Sequence, residues 1–329
     1  MSDRLSPKIE DRQLAHSPAV SVLMSVFNAE RHLPEAVESI LGQSWTDFEF
    51  LIIDDGSTDQ SLSILKKYAS QDSRIRLSGR ENRGIPKTVN ELLAMARGQY
   101  IARMDADDIA TANRLSIQVR YLQDHPAVVC VGGYFDLIDE AGRYLTTLRP
   151  PVRDDEIQSL LLKGHAAIQN STAMMRRDAL DRCGDYDERF PVAEDFDLWL
   201  RLGEAGELAN LDATLVRYRL HSNSISERYS GKHAELIRDA CERAYKRRGI
   251  EGRMDAFRPW RPEGDSASIY AFMLKYGWWA WNSCQRKTAM IYGLRAIHLR
   301  PLAGSGWVLL GCALLKRFDA KRQAAPRRA

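Results

Sequence analysis

The stretch "YIARMDADDIATANRL", from Tyr100 to Leu115, ends an apolar run with Asp105, Asp107 and Asp108. Adjacent like charges repel, so such a cluster calls for solvent, a cation or a task. Carboxylates on one short loop cannot saturate a divalent ion. They suit Mg²⁺ or Mn²⁺, which complete their shells with water and substrate phosphates. An acidic helix N-terminus is the plainer reading, because Asp107 and Asp108 also precede a helical pattern opening at Thr111. "DDGSTD", starting at Asp54, closes a second apolar run and is explained on its own by a turn and a helix cap. "AEDFDLWLR", starting at Ala193, sets Glu194, Asp195 and Asp197 in one helical turn. A carboxylate positioned there can serve as a general base, or the three can simply favour the positive end of the helix dipole.

Other phosphate- and metal-binding patterns are missing. No G-x-G-x-x-G follows the first apolar run, and in "GRENRGIPK" Gly84 precedes Ile85 where a phosphate loop needs Lys. "DADDIATANRLS" fails as a calcium loop, with Ala110 in place of the turn Gly and Ser116 in place of the bidentate Glu. The cysteines, Cys130, Cys183, Cys241, Cys284 and Cys312, are odd in number and contain no C-x-x-C pair. That argues against a disulfide framework or a zinc site and suits a reducing compartment.

The elements that must position these residues alternate. "AVSVLMSV", "FEFLIIDD", "RIRLS", "QYIARM" and "AVVCVGG" read as strands. Between them lie "AERHLPEAVESILGQ", "TDQSLSILKKYAS" with Thr58 or Asp59 as its cap, "IPKTVNELLAMARG" and "TANRLSIQVRYLQDHP" as amphipathic helices. This β-α alternation predicts an α/β fold, a Rossmann-like, mostly parallel sheet with helices on both faces. Ligands of such sheets bind beyond the carboxyl ends of the strands. Phe27-Asn28, Asp54-Asp55 and Asp105 to Asp108 then share one edge. Beyond Gly133 the pattern predicts a hairpin turning at Glu140 to Gly142, a helix in "DDEIQSLLLKG", a strand in "QNSTAMMR", a helix in "EDFDLWLRLGEAG" with Trp199 turned inward, and a last strand in "TLVRYRLH".

Composition is that of an ordinary soluble domain, 44% hydrophobic and 28% charged with net charge +3. No basic stripe with interleaved aromatics calls for nucleic acid. The leader, residues 1–18, is polar with no signal-peptide pattern, and no apolar run reaches the ~20 residues of a membrane-spanning helix. A cytoplasmic protein is expected.

"VSVLMSVFNAERHLPEAVESILGQS", "FLIIDDGSTD", "ENRGIPKTVNELLAMARGQYIARMDADD", "AEDFDLWLR" and "YRLHSNSIS" occur in the order seen in family 2 glycosyltransferases, which this chain resembles over residues 19–226. The resemblance implies a GT-A fold and an inverting transferase that uses a nucleotide-diphosphate sugar and a divalent metal, Mn²⁺ or Mg²⁺. Phe27, Asn28 and Glu30 would form the first wall of the nucleotide pocket. Where such families often have Pro-x-Tyr-Asn this chain has Ser25-Val26-Phe27-Asn28, keeping the aromatic face without the hydroxyl. Asp55 would accept from the base, with Asp54 supporting the loop. Asn82, Gly84 and Lys87 would line the nucleoside and diphosphate. Asp105, with Ala106, would face the ribose, and Asp107 would hold the metal. Asp108 is left with the metal or as a cap for the following helix. Asp195 matches the base of the family's ED motif, with Glu194 its neighbour and Asp197 the fallback. His221 would complete the metal shell or touch a phosphate, or act only as a structural hydrogen-bonder. Arg217 and Arg219 would serve the diphosphate or sit in solvent. "HAAIQNSTAMMRR" would line the acceptor side.

The implied reaction moves one sugar, with a UDP-linked donor expected, to a saccharide or polyprenyl-linked hydroxyl in envelope polysaccharide synthesis. A nucleotidyltransferase is the alternative, disfavoured by the missing glycine- and lysine-rich loop. A non-catalytic nucleotide-sugar scaffold would not need "AEDFDLWLR". Residues 227–329 read as a helical C-terminal region with a basic tail. Clustered Trp278, Trp279 and Trp281 fit either a cap on the main domain or peripheral contact with an anionic membrane at the inner face.

Overall fold

A computed structural model of the chain describes residues 17–221, 230–254 and 265–315. The polar leader, the "SNSIS" end of the fifth motif and the basic tail lie outside them, apart from Ser17 and Pro18.

The first half builds the parallel sheet. β1 (Val20–Val26), α1 (Leu33–Leu41), β2 (Phe48–Asp54), α2 (Ser61–Gln71), β3 (Ile75–Gly79), α3 (Ile85–Met95) and β4 (Tyr100–Arg103) follow the expected alternation. β1 pairs in parallel with β2 on one side and β4 on the other, and β2 pairs in parallel with β3. The chain thus leaves β1 in one direction and returns to its opposite side. The crevice beyond β1 and β4 is therefore a topological switch point.

Successive side chains of a strand point to opposite faces. Val20, Val22, Met24 and Val26 of β1 pack with α1, α2 and, further along, α4 (Arg114–Asp124). Leu23 packs on the other face with α3. Both faces are covered, so the sheet needs apolar residues in both registers, which is why β1 and β2 are largely apolar, with Ser21, Ser25 and Glu49 the polar residues before Asp54. Trp199 lies in the second of these cores, 1% exposed.

The second half adds antiparallel strands. After the two-residue β5 (Ile109–Ala110) and α4 comes β6 (Val128–Asp139), a single strand covering both the expected fifth strand and the first arm of the expected hairpin. β7 (Tyr144–Leu148) is the second arm. Next come α5 (Asp154–Leu162), a 3-10 turn at Asn170–Thr172, β8 (Met174–Arg176), α6 (Arg177–Cys183), α7 (Glu194–Ala205) and β9 (Glu207–Leu220). The sheet order is β3-β2-β1-β4-β8-β6-β9-β5, with β7 on β6. β8 joins the halves, antiparallel to both β4 and β6. β9 runs parallel to the whole of β6 and ends beside the loop that follows β4.

Four helices complete the described residues. α8 (Ser230–Arg248) packs into the α5–α7 core through Ile237, Ala240, Cys241 and Ala244. α9 (Ser266–Asn282), α10 (Arg286–Leu299) and α11 (Gly304–Leu315) form a separate core against β6, β7 and the end of β9, through Phe135, Leu137, Leu145 and Leu220. Among the described residues no helix is long and apolar enough to cross a membrane. No disulfide joins any of the five cysteines among the described residues.

Candidate active site

Two loops meet beyond β1 and β2. Asn28 takes a left-handed backbone (φ 50°), which Asn tolerates better than most residues. Its side-chain oxygen accepts from the Thr58 amide at 2.8 Å, and its own amide donates to Ser57 Oγ at 2.9 Å. Glu30 Oε2 accepts from the Gln60 amide at 2.8 Å, and Asp59 accepts from the Glu30 and Ser61 amides. These exchanges zip the first loop to the second. α2 itself starts at Ser61, so Asp59 holds the loop in front of the helix and neither it nor Thr58 is the capping residue. Phe27, 40% exposed, presents its ring at the mouth.

Asp54 and Asp55 are both buried. Asp54 accepts from the Ser57 amide through Oδ1, while its buried Oδ2 has no hydrogen-bond partner among the described residues. Asp55 accepts from the Arg83 amide at 2.9 Å and the Gly84 amide at 2.9 Å, and pairs with Arg80. It therefore gathers the loop carrying Asn82 and Gly84. Gly56 (φ 80°) must be glycine, because a Cβ there would lie 2.7 Å from the Asn82 amide nitrogen. Lys87 stands exposed at the edge, 3.8 Å from Glu188.

The β4 loop is built differently. Asp105 accepts from Asn170 Nδ2 at 3.1 Å and Ser171 Oγ at 2.9 Å, with Arg103 3.5 Å away. Its recessed position raises its pKa, against the pull of Arg103. Asp107 turns to His221, whose Nε2 lies 2.7 Å from Oδ2. Asp108 is wholly buried and accepts from the Arg219 amide at 2.9 Å, with the Ser171 hydroxyl on its other side. Burial and the neighbouring carboxylates hold the Asp108 pKa well above the ordinary value. Asp108 is not a helix cap: β5 intervenes, and α4 begins after Asn113.

Buried cations stand behind these carboxylates. Arg103 and Arg114 are among the largest fully buried side chains. Arg114 donates to the carbonyls of Arg103 and Ala173, and burial lowers its pKa to about 9. Arg219, only 2% exposed, donates to the carbonyls of Asp107 (2.9 Å) and Glu140 (3.3 Å) and pairs with Glu35. It is therefore not a solvent-facing residue; it clamps the Asp107 loop. His32 lies behind His221, ring centroids 5.6 Å apart, and burial with the nearby Arg219 lowers its pKa to about 4.

The third acidic group opens α7. Ala193 precedes it in a left-handed conformation (φ 62°), a strained position for a residue with a Cβ. Glu194 is 7% exposed, and burial followed by the Asp195 charge raises its pKa to about 8. Asp195 is half-buried; burial raises its pKa to about 6, with Asp105 contributing and the Phe196 amide (2.7 Å) opposing. Asp197 is buried in an ion pair with Arg201 at 2.8 Å, which occupies the fallback.

The structure thus gathers these groups around Asp105, whose charge acts on Asp107 and Asp108 of its own loop and on Glu194 and Asp195 of α7, with His221 on Asp107. It makes Asn28, Glu30, Asp54 and Asp55 braces of the adjoining wall. Sequence reasoning missed Arg103, Arg114, Arg80 and His32, and it assigned Asn170 and Ser171 to the acceptor side, where they hold Asp105. Buried arginines beside an acidic strand end were the available signal, since uncompensated carboxylates need counter-charges.

Among the described residues no group of three or more His, Cys, Asp or Glu side chains is arranged to hold a metal ion. Asp107 and His221 supply one oxygen and one imidazole donor at 2.7 Å. That pair fits an ion taking its remaining ligands from water and phosphate, and does not fit a closed all-protein cage.

The family model described as Glycosyl transferase family 2 matches residues 21–184. An uncharacterized glycosyltransferase of Haemophilus influenzae is 33% identical over 236 residues, covering 68% of this chain and 72% of that protein. The putative glycosyltransferase EpsE of Bacillus subtilis is 38% identical over 234 residues, covering 69% of this chain and 83% of that one. Among solved structures, S. aureus TarS 1-349 in complex with UDP-GlcNAc superposes with a TM-score of 0.52 at 17% identity, covering 92% of this chain and 77% of that one. The mannosyltransferase PcManGT from Pyrobaculum calidifontis, in complex with GDP-Man and Mn²⁺, gives 0.51 at 18% identity, covering 94% and 83%. At these identities the structural likeness is one of fold, the GT-A fold.

Proposed function

The chain belongs to glycosyl transferase family 2 and is a glycosyltransferase, and from that premise we propose that it transfers a single sugar, with inversion, from a nucleotide-diphosphate donor to a saccharide or lipid-linked saccharide hydroxyl. The transferred sugar is a hexose or N-acetylhexosamine, the donor UDP-linked, and the setting the cytoplasmic face of the membrane in envelope polysaccharide synthesis. Residues 19–226 are taken as the transferase unit, with α8 packed into its core and α9 to α11 as a helical appendage.

The observation that carries this reading is that a two-donor candidate metal pair, Asp107 with His221, and a half-buried carboxylate, Asp195, both neighbour Asp105. Asp107 and His221 would hold Mn²⁺ or Mg²⁺, which when bound offsets charge on a diphosphate leaving group. Arg219 fixes the backbone of Asp107 and, through its own amide, Asp108. Asp105, oriented by Asn170 and Ser171, is set to accept from a ribose hydroxyl. Phe27, 40% exposed, would offer a face to the base, and Asn82, Gly84 and Lys87, on or just after the loop that Asp55 gathers, would line the nucleoside and diphosphate.

Inversion requires the acceptor hydroxyl to lose its proton on the side opposite the leaving group. With a pKa of about 6, Asp195 is largely ionised at neutral pH and can accept that proton. Glu194, at about 8, is largely protonated there and is the poorer base. Neighbouring glycosyltransferases in complex with UDP-GlcNAc and GDP-Man support a nucleotide-sugar donor, and Mn²⁺ in one of them supports the metal.

Incubation with UDP-, GDP- and dTDP-sugars and Mn²⁺ tests the reading through nucleotide release. Release from one donor, abolished by EDTA and in Asp107→Ala, is the expected outcome. Asp195→Asn should bind donor and lose ~10²–10⁴-fold in transfer. Transfer at the parent rate in that variant would remove Asp195 from the role.

A further inference from the structure

We propose that the outer face of α10 and α11 is a docking surface for an anionic lipid membrane. α11 is apolar nearly all round, yet only one side is covered. Gly306, Leu309 and Ala313 are buried, while Trp307, Val308, Leu314 and Leu315 are exposed. The helical period sets those four on the stripe opposite the buried ones. Leu302, in the turn from α10, is fully exposed, and Leu299 emerges at the end of α10. So dense an exposed apolar patch marks an interaction surface. The Trp307 indole donates to the Pro301 carbonyl at 2.9 Å, which satisfies its polar edge and leaves the ring to meet an apolar phase.

Charge identifies the occupant. From Ser266 to Leu315 the sequence holds no Asp or Glu, while Lys275, Arg286, Lys287, Arg295 and Arg300 are cationic. Lys287 and Arg295 of α10 and Arg300 just after it are exposed, as are Leu299 and Leu302 of the same stretch. The remaining sequence to Ala329 adds six Lys or Arg against Asp319 alone, and the first 265 residues are net acidic. An apolar stripe on a segment that carries cations and no anion matches the boundary between acyl chains and anionic head groups. A second copy docked face to face would oppose like charges instead.

The same helices are tied to the active-site edge. Tyr292 donates to Asp139 at 3.0 Å at the end of β6, and Leu220 lies in their core between Arg219 and His221. Docking would hold the crevice beside a bilayer, where a lipid-linked hydroxyl is presented. The inference thus extends the acceptor side of the proposed function. Lipid binding is read with neither donor nor acceptor present, so each can fail alone.

The test is flotation of the full chain with phosphatidylcholine vesicles, with and without phosphatidylglycerol. Binding is expected only with phosphatidylglycerol, and weakened by salt. Arg295→Glu with Arg300→Glu should lower the partition coefficient about tenfold or more. Trp307→Ser with Leu315→Ser should do the same, both variants keeping the parent's melting temperature. Absence of phosphatidylglycerol-dependent binding overturns the proposal. Parent-like flotation of both variants does so too, since the basic tail alone would then suffice. A dimer in the parent that becomes monomeric in Trp307→Ser/Leu315→Ser, with flotation unchanged, would assign the face to a second copy.

Discussion

The acidic ends of β2 and β4 lie on the same edge of one sheet, separated only by β1. Each carries adjacent aspartates, yet they do different things. Asp55 is buried against Arg80 and accepts two loop amides, so its charge is consumed within the protein. Among the described residues the Asp107 carboxylate meets one imidazole, that of His221, and the cations behind its neighbours hold backbone rather than its carboxylate. Carboxylates gathered by protein donors make a rigid wall. A carboxylate left facing one weak partner keeps capacity for a ligand. Strand-end position brings both to the ligand edge; the donors that reach them divide the labour.

The sharpest break in this comparison is between activity and stability. Asp55→Ala leaves the Arg83 and Gly84 amides without their acceptor and removes one of the two carboxylates that Arg80 pairs with, Glu91 remaining, and should destabilise the fold by about 1–3 kcal/mol. Asp107→Ala should leave denaturant unfolding within about 1 kcal/mol of the parent, as expected for a partly exposed group, while transfer falls ~10²-fold or more. Equal stability losses in the two would erase the distinction.

Arg219→Lys sharpens it further. Lysine keeps the charge but cannot donate to Asp107, Glu140 and Glu35 at once. Transfer should fall about tenfold, with more Mn²⁺ needed for half-maximal rate. Loss of rate at an unchanged metal requirement would count against a positioning role.

The smallest effect is a titration. A base must be ionised to act, so the rate should climb as pH rises through about 6 and flatten above, following Asp195. Glu194→Gln should keep that limb, because Glu194 is largely uncharged until about pH 8. A rate that is flat between about pH 5 and 8 would point to another base.

The sheet edge was legible because alternation dictates a parallel sheet, and such sheets present ligands beyond their carboxyl ends. Asp105, Asp107, Asp195 and His221 could be named from that edge and from motifs carried in order. The division between Asp54, Asp55 and Asp108 as buried groups and Asp107 as the presented one could not be. It depends on which donors arrive from residues far along the chain. Arg219 shows this best: in "RYRLH" it alternates with Arg217, as a surface pair would, yet β9 delivers it to the back of the β4 loop, where it is buried.

By itself the sequence determined the order of elements, both apolar faces of the first strands and the acidic character of the ligand edge, because these follow from local periodicity and strand termini. Only the tertiary structure decided that β6 runs unbroken through two expected strands, that Asn170 and Ser171 hold Asp105, and that Arg103, Arg114 and Arg219 lie buried beneath the crevice. Those outcomes are long-range. A carboxylate's role is set by the groups that replace its water, and β8 and β9 bring those groups from the far end of the fold.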